Sequence, residues 1–141
     1  MKYDSLVREN KIKPQKAEKG EIEELFVLAE RDLKAAEFIM SQDWDWAFAI
    51  AYNSVLQASR AFMLSEGFRS RSEEAHKITF EFMRVALGKD YRDLIDYFDR
   101  GRVKRHKVIY QTTGSATETE VKQILDKAHQ FIKTLKELCK I

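Results

Sequence analysis

Apolar side chains recur every three or four positions through most of the chain, the spacing that turns one face of a helix inward. Ile22, Leu25, Phe26, Ala29, Leu33, Ala36 and Met40 form the first stripe and predict a helix over about 21–40, with Glu30, Lys34 and Glu37 on the opposite side. Asp43 offers an N-cap for a second helix through about Glu66, and Gly67 stands where a helix commonly ends in a left-handed residue. Between Trp46 and Leu64 this segment is apolar nearly all round, broken chiefly by Asn53, Ser54, Gln57, Ser59 and Arg60, which predicts a central helix packed on several sides. Ala47, Ala51, Ala58 and Ala61 keep parts of it slim enough for close approach.

The remaining chain reads in the same way. Phe68 to Ser72 is a basic loop, and Ser70 with Glu73 spells a capping box for a third helix ending near Gly88, with the stripe His76, Phe80, Met83 and Leu87. Asp90 and Asp93 open a fourth helix through Leu94 and Phe98 to about Tyr110, with Gly101 a weak point inside it. A polar loop around Gly114 leads to Thr117 and Glu120, which cap a last helix over about 118–138 with the stripe Val121, Leu125, Ala128, Ile132 and Leu135. Residues 1–20 break the pattern: six Lys or Arg, three acids and the single Pro14 read as an extended arm with one short turn, ending at Gly20. Such an arm either lies across a partner subunit or frays. The expectation is an all-α, five-helix, mostly antiparallel bundle: a single domain over 21–141 preceded by the arm.

Composition narrows this further. With 44% hydrophobic and 34% charged residues the chain is not a disordered one, and five Gly with one Pro in 141 residues are too few for a turn-rich β fold. A net charge of +2 does not by itself call for a nucleic-acid partner, so any basic surface must come from local clustering. The lone Cys139 rules out an internal disulfide framework and fits a reducing compartment. The longest apolar run, Trp46 to Tyr52 with Ala47 second in it, is seven residues, far short of a membrane span, and the first residues lack the apolar region of a signal peptide. The expectation is a cytoplasmic protein with no membrane contact.

Candidate chemistry rests on three histidines. His129 reads as structural or exposed. His76 closes Glu73-Glu74-Ala75-His76, the Glu-x-x-His spelling of di-iron bundles, but such sites need a second motif and further inward carboxylates, and only Asp126-x-x-His129 comes near. No metal and no cofactor are expected. His106 lies in Arg100-Gly101-Arg102-Val103-Lys104-Arg105-His106-Lys107, where five of eight residues are cationic and no acid follows until Glu118. On a continuous helix Arg102, His106 and Tyr110 share one face, whereas Arg105 falls nearer the apolar stripe and is expected to be partly buried or at an interface. Imidazole can move a proton near neutral pH, and guanidinium can stabilise charge on a pentavalent phosphorus. With RNA the 2′-hydroxyl supplies the nucleophile and no metal is required. The alternative is a solvated basic face with a capping His and a core Tyr.

At these residues the chain resembles the HEPN domain (higher eukaryotes and prokaryotes nucleotide-binding), a compact helical bundle. The resemblance covers about residues 21–138 and rests on an ordered series: Ala29-Glu30-Arg31-Asp32-Leu33-Lys34-Ala35-Ala36, Asp43-Trp44-Asp45-Trp46-Ala47-Phe48, Ala51-Tyr52-Asn53-Ser54-Val55-Leu56-Gln57-Ala58-Ser59-Arg60-Ala61, Gly67-Phe68-Arg69 and Ala75-His76-Lys77. It implies a signature of Arg, four to six residues, then His, often Arg-Asn-x-x-x-His. In ribonuclease members that pair cuts RNA without metal, two copies meeting across a homodimer, often as a toxin beside a nucleotidyltransferase antitoxin. Both Arg100 to His106 and Arg71 to His76 satisfy the loose spacing. On the stricter form, Arg105-His106-Lys107-Val108-Ile109-Tyr110 puts His106 at the Asn and Tyr110 at the catalytic His.

Two functions follow from the resemblance. One is a metal-independent endoribonuclease using His106 for proton transfer, with Arg105, Arg102 and Tyr110 in its site and Arg100, Lys104 and Lys107 holding phosphate. The other is a non-catalytic subunit that binds a nucleotide or a nucleotidyltransferase partner, with Tyr110 a target for modification by AMP. Trp44, Trp46 and Phe48 are candidates for either a dimer interface or the intramolecular core.

Overall fold

The computed structural model describes residues 1–71, 75–111 and 113–141. Among them run six helices: α1 (Asp4–Arg8), α2 (Lys19–Ile39), α3 (Trp44–Ser65), α4 (Ala75–Leu87), α5 (Arg92–Tyr110) and α6 (Glu118–Leu138). A single 3₁₀ turn, Lys89–Tyr91, leads into α5, and two short strands, β1 (Ile12–Pro14) and β2 (Phe68–Ser70), pair antiparallel. The fold is the expected all-α bundle.

Helix α3 is its axis, packing against α2, α4, α5 and α6. Tyr52, Val55, Ala58 and Ala61 are wholly enclosed. Even its serines are accommodated within the helix, Ser54 and Ser59 donating to the carbonyls of Ala51 and Val55 at 2.6 and 2.8 Å. The helix starts where its cap requires: the Asp43 carboxylate accepts the Trp46 amide at 3.0 Å, and Gly67 ends the element at φ +90°. The Thr117–Glu120 capping box is present in both directions, at 3.1 and 2.9 Å. The capping box read at Ser70 and Glu73 falls partly outside the described residues, and Ser70 belongs to β2.

The N-terminal segment departs from the expectation of an extended arm. It folds back on its own chain and joins the core through Tyr3, Leu6 and Ile12, all buried. Tyr3 stacks on Phe82 with centroids 4.4 Å apart and donates to Glu66 at 2.7 Å. Ile12, Lys13 and Pro14 pair with Ser70, Arg69 and Phe68, so the predicted basic loop is a strand. Pro14 is tolerated because a two-stranded ribbon leaves an outer edge that needs no amide donor. Of the three aromatic residues opening α3, Phe48 is core, whereas Trp44 and Trp46 stand about half exposed, at 45% and 53%.

Candidate functional site

The cations of α5 do not form one face. Successive residues on a helix turn by about 100°, so a run of adjacent arginines and lysines is spread around the axis. Lys104 reaches forward to the start of α6, bonding the Ser115 carbonyl and pairing with Glu120 at 3.2 Å. Arg100 lines a shallow pocket of about 200 Å³ with Phe48, Tyr97 and Gln123. Arg102 is held by Asp99 at 3.1 Å; Asp99 also accepts from Arg84 at 2.7 Å, and Arg84 reaches Asp96 at 2.8 Å. Burial works against the Asp99 carboxylate, but the bonds from Arg84 and Arg102 keep it below its ordinary value. Lys107 is exposed.

On the outer side of α5 the expected pair does assemble. The rings of His106 and Tyr110 lie one turn apart with centroids at 5.0 Å, and both residues are exposed, Tyr110 at 65%. Tyr110 is therefore not a core residue. Arg102 stands one turn before His106, its guanidinium fixed by Asp99. Arg105, next to His106 in sequence, is on the inward side: it is half-buried and its Nε is enclosed with no hydrogen-bond partner.

Behind this face lies a cluster that the sequence reading passed over. Tyr52 of α3, wholly buried, meets Nδ1 of His76 of α4 at 3.0 Å, with the rings stacked at 5.8 Å. Burial, then the fields of Arg60, Arg105 and Arg102, pushes His76 down to about 4, so the ring is neutral near pH 7. Burial also raises the Tyr52 phenol well above its ordinary value. Glu73 and Glu74 of the Glu-x-x-His spelling lie outside the described residues. His129 pairs with Glu37 of α2, on the far side of the bundle. Among the described residues no three His, Cys, Asp or Glu side chains converge as metal ligands would. A groove of about 720 Å³ between α2 and α6, with Val27, Leu33 and Ile132 on its walls, contains none of the predicted site residues of α5.

The model of the HEPN domain matches residues 22–138. The chain belongs to the HEPN family. No curated protein sequence matches it. Within this HEPN domain, the quoted motif residues have definite structural work. Asp32 accepts from both Asn53, at 3.3 Å, and Gln57, locking α2 to α3. Asp45 accepts the amides of Gly114 and Ala116 at 2.7 and 2.8 Å, tying the loop before α6 to the start of α3. Among the described residues no helix is long and apolar enough to cross a membrane.

Proposed function

We propose that this HEPN protein cleaves RNA without a metal, as a homodimer of the toxin–antitoxin kind. The observation that carries the reading is the exposed His106–Tyr110 pair on the outer face of α5, one turn beyond an arginine fixed in place by Asp99. A helix surface is convex, so one protomer offers a proton-transfer group and a cation but no opposite wall. A second copy placed with its α5 opposite would supply that wall and a second imidazole. One His106 then takes the proton of the 2′-hydroxyl as its oxygen attacks the adjacent phosphorus. The other gives a proton to the departing 5′-oxygen, leaving a 2′,3′-cyclic phosphate and a 5′-hydroxyl. Arg102 and Lys107 offset the charge that builds on the non-bridging oxygens.

The test is cleavage of RNA in EDTA by the wild type and His106→Ala. Loss of a proton-transfer group is expected to slow cleavage by about 10²–10⁴-fold with helicity and oligomeric state unchanged. Undiminished cleavage by His106→Ala overturns the assignment. The exposure of Tyr110 favours a second reading, in which its phenol oxygen takes AMP from ATP, with release of pyrophosphate, through a nucleotidyltransferase partner. Absence of cleavage by a folded wild-type dimer would favour that binding role.

A further inference from the structure

One face of α2 is left uncovered by the described residues. Gly20, Glu24, Val27, Arg31, Lys34 and Phe38 follow one another at alternating spacings of four and three, so they line one side of the helix over about 27 Å. All six are exposed, Phe38 at 85% and Val27 at 63%. A lone exposed apolar side chain is ordinary, but here two share a stripe whose other members are charged or bare. Arg31, Lys34 and, from α6, Lys133 edge the groove between the two helices. Glu24, Lys34 and Lys133 make no hydrogen bond or ion pair with any described residue. Arg31 is held by its neighbour Asp32, at 3.0 Å. Gly20 has no structural reason within the described chain: a glycine weakens a helix relative to alanine, and a Cβ added there would meet nothing within 4 Å.

The stripe is complementary to its own reverse. Turned end for end about the level of Ala29, it sets Phe38 against Gly20, Lys34 against Glu24 and Arg31 against Val27, each contact made twice. We infer that this face of α2 pairs antiparallel with the same face of a second copy of the chain. A two-fold interface uses one patch on both subunits, so it demands a surface that matches itself when reversed. Phe38 of each copy lies on the bare backbone at Gly20 of the other, which gives that glycine its reason. Lys34 meets an unpaired Glu24, and Lys133 beside it adds a second cation to an end where Glu21 and Glu23 also stand. The aliphatic stem of Arg31 covers Val27 while its guanidinium stays in water beside Asp32. An acidic helix from another protein would suit the cations, but it gives no reason for Gly20 or for the unpaired Glu24. The contact belongs to α2, a different helix from the one that carries His106 and Tyr110, and it does not depend on RNA cleavage.

Sedimentation equilibrium of the full chain over a wide concentration range tests this, with charge reversal as the discriminating step. Association is expected to weaken about tenfold or more in Phe38→Ser, in Glu24→Lys and in Lys34→Glu, because each substitution acts twice across the two-fold axis. The double variant Glu24→Lys/Lys34→Glu exchanges the charges without changing the register and should associate as the wild type does. Lys77→Glu, the same charge change on α4, should have no effect. Pairing through α5 is common to all these variants, so the readout is the difference between them. Circular dichroism confirms that each is folded, and every substituted side chain is exposed. A chain that stays monomeric, or association that survives Phe38→Ser and both single reversals, overturns the proposal. Loss in the single reversals that the double variant does not restore overturns it too, because the register is then wrong.

Discussion

Acidification should weaken this fold through His76 before its carboxylates are touched. Burial first, and then Arg60, Arg105 and Arg102, hold the ring at about 4, whereas an unfolded histidine titrates near 6.5. Between those values the unfolded chain binds a proton that the folded chain refuses, so stability is fully present above 6.5 and falls as the pH drops towards 4. The whole shift of roughly 2.5 units corresponds to at most about 3 kcal/mol, and by about pH 5 some 2 kcal/mol of it is lost. The part owed to the arginines acts through partly exposed guanidinium groups and weakens with salt, which leaves burial as the steadier contribution. For a chain of this size 2 kcal/mol corresponds to a fall of roughly 5 °C in Tm.

The comparison that isolates this effect is wild type against His76→Gln, in urea denaturation at neutral pH and near pH 5, in buffer free of phosphate. Glutamine keeps a group able to accept from Tyr52 but does not titrate, so its stability curve should be flatter over this interval by about 2 kcal/mol. Asp99 and Glu120, both held below ordinary carboxylate values, lose their contributions at lower pH and do so in both proteins. A difference between the two proteins that does not change with pH refutes the reasoning. So does an NMR titration that finds His76 near 6.5.

Gly101→Ala should stabilise the protein by up to ~1 kcal/mol, read from the urea midpoint, because the glycine sits in helical conformation. Its new methyl would meet Tyr52 Cδ2 at 3.6 Å and Phe48 Cζ at 3.9 Å, which is ordinary contact. Asp45→Ala should cost about 2 kcal/mol, because it removes the acceptor of two backbone amides, and hydrogen exchange at Gly114 and Ala116 should accelerate.

The long helices could be read from the chain because their signals are local. The stripe of α6 and its Thr117–Glu120 box sit within a few residues of the ends they define, and Asp43 and Gly67 bracket α3 in the same way. The N-terminal segment carries no such signal. Its strand is three residues long, contains a proline and exists only because Phe68 to Ser70 lies alongside it, more than fifty residues later. Tyr3 and Ile12 look like isolated apolar residues in a polar stretch until Phe82 and β2 are in place to cover them.

The candidate site divides along the same line. His106 and Tyr110 are four residues apart on one helix, and helical periodicity alone brings their rings together. The same periodicity turns Arg105 inward, and it separates Lys104 and Arg100 from His106, so a basic run in sequence becomes several distinct contacts in space. His76 had its own signal: it occupies the first place in the stripe His76, Phe80, Met83, Leu87, a titratable ring where the pattern demands an apolar one. What periodicity could not supply was the partner. Tyr52 lies 24 residues earlier on another helix, and only the packing of α4 against α3 brings its buried phenol against a histidine on a core stripe. A polar residue on an apolar stripe is tolerated only when some other element brings it a partner. Here that partner is the Tyr52 hydroxyl, which meets one ring nitrogen of His76 at 3.0 Å.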